Sequence, residues 1–288
     1  MHDHLVGIGL RSPHLFQFID EKPNIGWVEV HSENYLSLGG NDFEALLQIR
    51  KNYPISLHGI GMSLGSSSGV CHKHLSQLED LIKDIDPFMI SDHLSWSVNN
   101  GIFLPDLLPT PFNDESLEVF SRNISETQNR LKRQILLENP STYFEFTEST
   151  YSEAEFLNIL LTKTGAGMLL DVNNVYISSL NNGFSASQYI DDINPNFIKE
   201  IHVSGHSVKK VSENDALYID SHDSKVSAPV WNLYKKSICK FGKVPSMIEW
   251  DVNIPKLSVI LSEADKIKTY MDNATSKQDE PSQEVVCA

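Results

Sequence analysis

Histidines and carboxylates at the ends of apolar runs are the residues of this 288-residue sequence best placed to do chemistry. Between residues 198 and 223 an apolar run closes on His202, His206 follows, and Asp220-Ser221-His222 comes after a polar loop. Side chains two apart in an extended chain share a side. Asp220 and His222 can therefore aim a carboxylate oxygen and an imidazole nitrogen at one point, a donor pair suited to a divalent cation. Most Asp-x-His triplets are solvated loops, so this pair alone decides little. The pattern recurs, however. His58 closes one run and Ser91-Asp92-His93 the next; Glu138, Asp171 and Glu249 close others, in LLENP, LLDVNN and IEWD. A capped loop or a surface pair explains any one of these, but not a succession of them. Gathered without a cation, such carboxylates would repel one another and titrate abnormally. The available donors are His58, His93, Glu138, Asp171, Asn174, His202, Asp220, His222 and Glu249. One catalytic ion takes about three or four protein ligands, so this set suffices for two or three ions with a carboxylate such as Glu138 bridging.

These residues must be carried by elements that bring them together. Apolar runs at 5–10, 27–30, 55–58, 88–91, 135–137, 168–170, 197–203 and 246–248 alternate with amphipathic stretches. Helices are expected to about residue 21, at 41–52 with Asn41 at its start, at 72–85, after Asn113, at 152–163, after Ser185, at 229–241 and at 256–270. The stretch after Asn113 places Leu117, Phe120, Ile124 and Leu131 at core spacing, and Gly165 stops the following helix. Long Gly/Ser- and Pro-containing segments, 59–69 and the one holding Pro105, Pro109 and Pro111, are expected as loops. Eight strand-then-helix units predict a single (β/α)8 TIM barrel over residues 1–273, with a disordered tail at 274–288. No GxGxxG or GxxxxGK[ST] follows any strand, which removes the main signature of nucleotide-binding alternatives. In such a barrel chemistry sits at the C-terminal strand ends, where these donors fall.

Composition narrows the partners. A formal net charge of −15 disfavours nucleic acid and anionic membranes as partners. Cys71, Cys239 and Cys287 are too sparse for a disulfide framework and contain no CxxC, which suits a reducing cytoplasm. The N-terminus lacks the pattern of a signal peptide, and no apolar run approaches a membrane span. Secondary candidates have plain structural readings beside the functional ones. Asp92 can accept a hydrogen bond behind a ligand or within a loop; His206 can face substrate or close a loop. Arg11 and His14 can bind a substrate carboxylate or edge the core. Glu29 and Glu33 near the second strand read as structural, His2, His4, His72 and His74 as solvent-facing, and Trp96 and Trp250 as pocket walls.

The order of these groups resembles the xylose-isomerase-like superfamily of TIM barrels, particularly its trinuclear apurinic endonucleases. More closely, GIGLRSPH, SLHGIGMSLG, ISDHLSW, LLENPSTY, LLDVNNVYISSLNNGF, HVSGH, IDSHD and IEWDVNIP are similar to the multinuclear non-haem iron-dependent oxidases, over residues 6–255. Those enzymes modify cysteines of ribosomally made peptides, as in methanobactin pathways. The resemblance implies two or three irons, mixed Fe(II)/Fe(III), with O2 as co-substrate. By analogy one ion is held by His58, His93 and Glu138, a second by Glu138, Asp171, His202 and Glu249, and a third by Asn174, Asp220 and His222. It also implies a cysteine-containing precursor peptide as substrate and a small partner protein that recognises its leader. Asn174 stands where the endonucleases carry histidine, a departure that favours the oxidases and a weaker third site. The rival expectations are a Zn- or Mn-dependent hydrolase or endonuclease-like phosphodiesterase, a sugar isomerase, and a non-catalytic metal-binding partner.

Overall fold

The computed structural model describes residues 5–99, 101–212 and 215–276. Eight of its strands close a parallel barrel: β1 (Val6–Gly9), β2 (Trp27–His31), β3 (Ile55–Gly59), β4 (Met89–His93), β7 (Leu136–Glu138), β8 (Gly167–Asp171), β9 (Ile198–Ser204) and β12 (Ser246–Glu249). They neighbour one another in sequence order, with β12 returning to pair with β1 through Val6–Ser246 and Ile8–Ile248. Almost every residue in them is buried, as expected of strands covered by side chains within and helices outside. The TIM-barrel reading of the sequence therefore holds, with each anticipated run in a barrel strand.

The outer layer is α1 (Leu15–Glu21), α2 (Asn41–Arg50), α3 (His72–Ile85), α4 (Asp114–Leu131), α5 (Glu153–Thr164), α6 (Val172–Asn182), α7 (Ala186–Asp192), α8 (Ala228–Phe241) and α9 (Leu257–Ser276). On α4 the residues Leu117, Phe120, Ile124 and Leu131 are buried, and Asn113 caps it by accepting the Ser116 amide at 3.0 Å. Ser152 and Glu155 form a reciprocal capping box at the start of α5, and Gly165 ends it in the left-handed region. Below the mouth, the Trp27 ring fills the space that a Cβ at Gly7 would occupy, 2.4 Å away.

Four local expectations need correction. Gly40 is the N-cap of α2, and Asn41 is already inside the helix. Helix α6 follows β8 directly with Asp171 as its N-cap, ahead of the one helix expected on this stretch, after Ser185. Two antiparallel hairpins replace expected loops: β5 (Trp96–Asn99) with β6 (Ile102–Leu108), and β10 (Ser207–Lys210) with β11 (Ala216–Ile219). Finally, α9 continues to Ser276, beyond the helix end expected at about residue 270 and into the first residues of the expected tail, of which 277–288 lie outside the described residues.

Candidate metal centre

The barrel register brings donors of neighbouring strands together near the C-terminal strand ends, His202 standing two residues before the end of β9. His58 lies beside His31 and Ser91, His93 beside Glu138, and Asp171 beside His202. His58 and His93 each present Nε2 to Glu138 Oε2, both at 3.2 Å. The protonation of one ring follows from its other contact. His93 Nδ1–H donates to the Gly59 carbonyl at 3.0 Å, so Nε2 carries the lone pair. His58 Nδ1 lies 2.8 Å from Ser91 Oγ, a hydroxyl that can donate or accept.

Glu138 also belongs to a second cluster. One donor atom from each of Glu138, Asp171, His202 and Glu249 lies within 4.8 Å of the others, and His202 Nδ1 is 3.2 Å from Glu249 Oε2. Asp171 doubles as the N-cap of α6, accepting the Asn174 amide through Oδ1 at 2.6 Å, which leaves Oδ2 buried without a hydrogen-bond partner.

The third expected set is assembled less directly. His222 Nε2 is 2.5 Å from Asp220 Oδ1, and its Nδ1 is 3.4 Å from Glu249 and 3.2 Å from Asp251. His222 occupies the left-handed region at φ 46, an unusual conformation for a residue with a Cβ. Its N–H donates to Gly205 O. Asn174 contacts the other clusters instead: its Nδ2 donates to Glu138 Oε1 at 3.3 Å and to Asn139 O, while Oδ1 is buried and unpartnered.

Donors that the sequence reading missed complete the mouth. Glu29 Oε1 lies 3.2 Å and Glu200 Oε1 3.6 Å from His202 Nε2, one layer below the main cluster. Both glutamates are fully buried; Ser56 donates to Glu29 Oε2, and neither Glu200 oxygen has a hydrogen-bond partner. His31 Nε2 and Asp251 Oδ2 lie 3.8 Å apart beside Glu249. The signal was period two: Glu29 and His31 alternate as Ser56 and His58 do, and Glu200 and Asp251 stand two residues from His202 and Glu249.

The secondary candidates resolve individually. Arg11 is buried and donates through Nε to Asp251 Oδ1 at 2.6 Å, with Nη2 3.6 Å from Glu249, so it serves as the charge partner of the acids. His14 Nε2–H donates to Pro255 O, a core-edge role. Asp92 accepts the Met62 and His93 amides and ties the loop after β3 to β4. His206 stands 2.8 Å from Asn173 Oδ1, and Asn173 donates to Asp220. His74 is not solvent-facing, since it pairs with Glu33 at 3.4 Å; His72 is exposed, and His2 and His4 lie outside the described residues. Trp250 is buried in the core, and Trp96 donates to Pro109 O across its hairpin.

Electrostatically the centre is acid-rich. It gathers Glu29, Glu138, Asp171, Glu200, Asp220, Glu249 and Asp251, and among the described residues the guanidinium of Arg11 pairs with two of them, Asp251 and Glu249. Burial would push Glu138 up, but the His93 and His58 imidazoles outweigh it and hold it below the usual range. Glu249 is held well below its usual value because His222 and His202 overcome its burial. Asp171 goes the other way, pushed well up by burial and by the neighbouring Asp220 and Glu138 charges. Burial opposes protonation of His58, yet its hydrogen bond to Glu138 and the Glu29 charge raise it to about 10. Protons on imidazoles thus balance the carboxylates, and a cation seated among them would replace those protons. The fit is good: Asp171 Oδ2 and Asn174 Oδ1 are buried acceptors with no hydrogen-bond partner, while Glu138 Oε2 and His222 Nε2 face only other residues of the same group, His58 and His93 for the first and Asp220 for the second.

The family model described as "RiPP precursor modification enzyme MbnB/TglH/ChrH", for ribosomally synthesised and post-translationally modified peptides, matches residues 5–272. The chain belongs to that family. Among relatives of this MbnB/TglH/ChrH chain, the UPF0276 protein VV3194 of Vibrio vulnificus (strain YJ016) is 44% identical over 270 residues, covering 94% of this chain and 92% of that protein. The UPF0276 protein RB0508 of Rhizobium meliloti is 41% identical, covering 94% and 88%. A solved L-ribulose 3-epimerase shares the fold at 12% identity and TM-score 0.63, covering 97% of this chain and 98% of that one. A xylose isomerase-like TIM barrel protein from Mycobacterium smegmatis in complex with magnesium matches at 11% identity and TM-score 0.52, covering 81% and 78%. The fold is thus that of the xylose-isomerase-like barrels. Among the described residues, no helix is long and apolar enough to cross a membrane.

Proposed function

We propose that this member of the RiPP-modifying family is a multinuclear iron oxidase that uses O2 to modify cysteines of a ribosomally made precursor peptide. The observation that carries the reading is Glu138, whose carboxylate faces His58 and His93 on one side and shares a 4.8 Å cluster with Asp171, His202 and Glu249 on the other. A carboxylate shared by two donor sets would be a ligand to a cation in each. Asn174, with Asp220 and His222, would hold a third ion more weakly, because an amide oxygen donates less than imidazole.

The donor chemistry favours iron. Imidazole and carboxylate donors without a protein thiolate would suit an ion that changes valence. Iron bound there would supply O2 activation and lower the pKa of a coordinating cysteine. The chain's own residues do the rest. Gly59 O and Ser91 hold the two imidazoles, Glu29 holds His202, and Arg11 keeps Asp251 and Glu249 from repelling each other. The substrate is a cysteine-containing precursor peptide, delivered with a small partner protein that binds its leader.

The test is elemental analysis and Mössbauer spectroscopy on anaerobically prepared protein, followed by oxygen uptake with cysteine-containing peptides. Iron in at least two environments with peptide-dependent uptake is expected. Zinc alone, with activity unchanged under anaerobic conditions, would overturn the reading in favour of a hydrolase.

A further inference from the structure

Apart from the metal centre, the barrel mouth carries a groove of about 390 Å3. It lies between the segment after β7, the segment that leads from β6 to α4, and the helices α5 and α7 near their starts. Its walls are aromatic: Phe112, Phe144, Phe146, Tyr151, Phe184 and Tyr189 all line it. Phe144 is 55% exposed, an uncommon cost for a large ring facing water. Within these walls lies a carboxylate, Glu153, whose Oε1 accepts the Tyr189 hydroxyl at 2.7 Å. The other charged lining residues, Glu145 and Asp192, are also acidic, and no Lys, Arg or His lines the groove among the described residues.

We propose that this groove binds a cationic side chain, lysine or arginine, of the peptide substrate, with Glu153 as its counter-ion and the rings as its walls. Three observations carry this. Aromatic faces attract cations within about 6 Å, and a carboxylate among them fixes the sign of the guest. The groove is also joined to the metal centre by the chain itself: residues 139–152 run from Glu138 to Glu153, and Tyr143 on that segment accepts the Asp220 amide at 3.3 Å. A peptide anchored in the groove therefore lies along the segment that leads to the metal ligands. Lastly, the two helix N-termini do not leave a vacancy for an anion. Ser152 and Ser185 already accept first-turn amides of α5 and α7, and the acids on the lining oppose an anionic guest. Burial pushes the Glu153 carboxyl up to about 7, only partly offset by Tyr189, which marks a carboxylate lacking a positive neighbour.

The inference rests on the peptide-substrate reading, but its test needs neither metal turnover nor O2. The full chain, labelled with 13C at phenylalanine rings, is titrated with Ac-Gly-Arg-Gly-NH2 and Ac-Gly-Lys-Gly-NH2. Their neutral counterparts carry citrulline and acetyl-lysine. The expected result is movement of the Phe144 and Phe184 resonances by a charged peptide, the stronger of the two naming the preferred cation. The neutral peptides and the E153Q variant should each weaken binding about tenfold, the size of a lost charge-assisted contact. F144A, which removes a half-exposed ring that packs edge-on against Phe146, should weaken it while leaving the melting temperature within a few degrees of the native value. Equal binding of the neutral peptides, unchanged affinity in E153Q, or tighter binding of Ac-Gly-Glu-Gly-NH2 would overturn the proposal. A chain that binds the arginine peptide here but takes up no oxygen would sink the oxidase reading and leave the groove standing.

Discussion

Glu138 uses both carboxylate oxygens in the centre, Oε2 toward two imidazoles and Oε1 toward the Asn174 amide. Its replacement by glutamine should therefore empty two metal positions together, a loss of about two equivalents by elemental analysis after desalting. Asn174→Ala removes only an amide oxygen and should lower mainly the third position's occupancy. Equal losses in both variants would refute the bridging assignment. Glu29 acts on the centre through His202. A ligating imidazole is oriented by what its other nitrogen donates to, and loss of that partner costs about 10–100-fold in metal affinity. Because Glu29 Oε1 is 3.2 Å from His202 Nε2, Glu29→Leu should weaken the second position by about that factor in a calorimetric Fe(II) titration. Glu29→Gln, whose amide oxygen can still accept, should lose less. If both variants bind like the native protein, His202 is held by Glu200 instead.

The elements that carry these side chains differ in how plainly the sequence declares them. Barrel strands are short apolar runs closed by a donor, and their ends locate His58, His93, Glu138, Asp171, His202 and Glu249 without a structure. Helix α6 is harder to foresee because VNNVYISSLNN is rich in asparagine and serine, poor helix formers in its interior. What starts it is tertiary, the Asp171 side chain capping Asn174 from a strand end. The hairpins escape for a related reason: Pro105 inside β6 argues against a strand except at an edge, which is where β6 lies. Glu200 was hidden within an apolar run, since its inward side chain is a buried acid that hydropathy cannot foresee. Backbone packing also positions the third donor pair. A Cβ at Gly205 would lie 2.1 Å from the Ser224 carbonyl oxygen, a rigid neighbour, and the same glycine accepts the His222 amide. Gly205→Ala should therefore push the 220–224 segment outward, costing about 1–3 kcal/mol of stability as overpacking. Metal at the Asp220–His222 position should fall while the Glu138 positions keep theirs. Unchanged occupancy there would mean that the segment is not positioned by this contact.

Taken as one charged body, the protein concentrates buried acids around the mouth of a barrel whose net charge is already −15. Its stability should then depend jointly on pH and metal, with a determinate sign. In the metal-free chain, burial and the Glu29 charge raise Glu200 to about 8, and Asp171 is pushed well above its usual value. An acid whose folded pKa is raised disfavours the fold once the unfolded form ionises, so stability falls from about pH 4.5 until the folded group also titrates. His58, raised to about 10 by Glu138 and Glu29 against its burial, contributes fully below about pH 6.5 and loses that contribution as pH rises through about 10. Glu29 and Asp251 work oppositely. Burial opposes their ionisation, but His202 and Arg11 respectively hold both near 2, so their contribution disappears only as pH falls toward that value. Between pH 5.5 and 8.5 the metal-free protein should therefore become less stable with rising pH. Metal binding displaces protons from the same imidazoles and so tightens with pH. Ligand present at about a thousandfold its Kd adds about 4 kcal/mol. The gap in Tm between Fe(II)-loaded and chelator-treated protein, measured by anaerobic calorimetry, should thus widen from pH 5.5 to 8.5. A constant gap, or a metal-free protein more stable at pH 8.5, would show that cations do not neutralise this cluster.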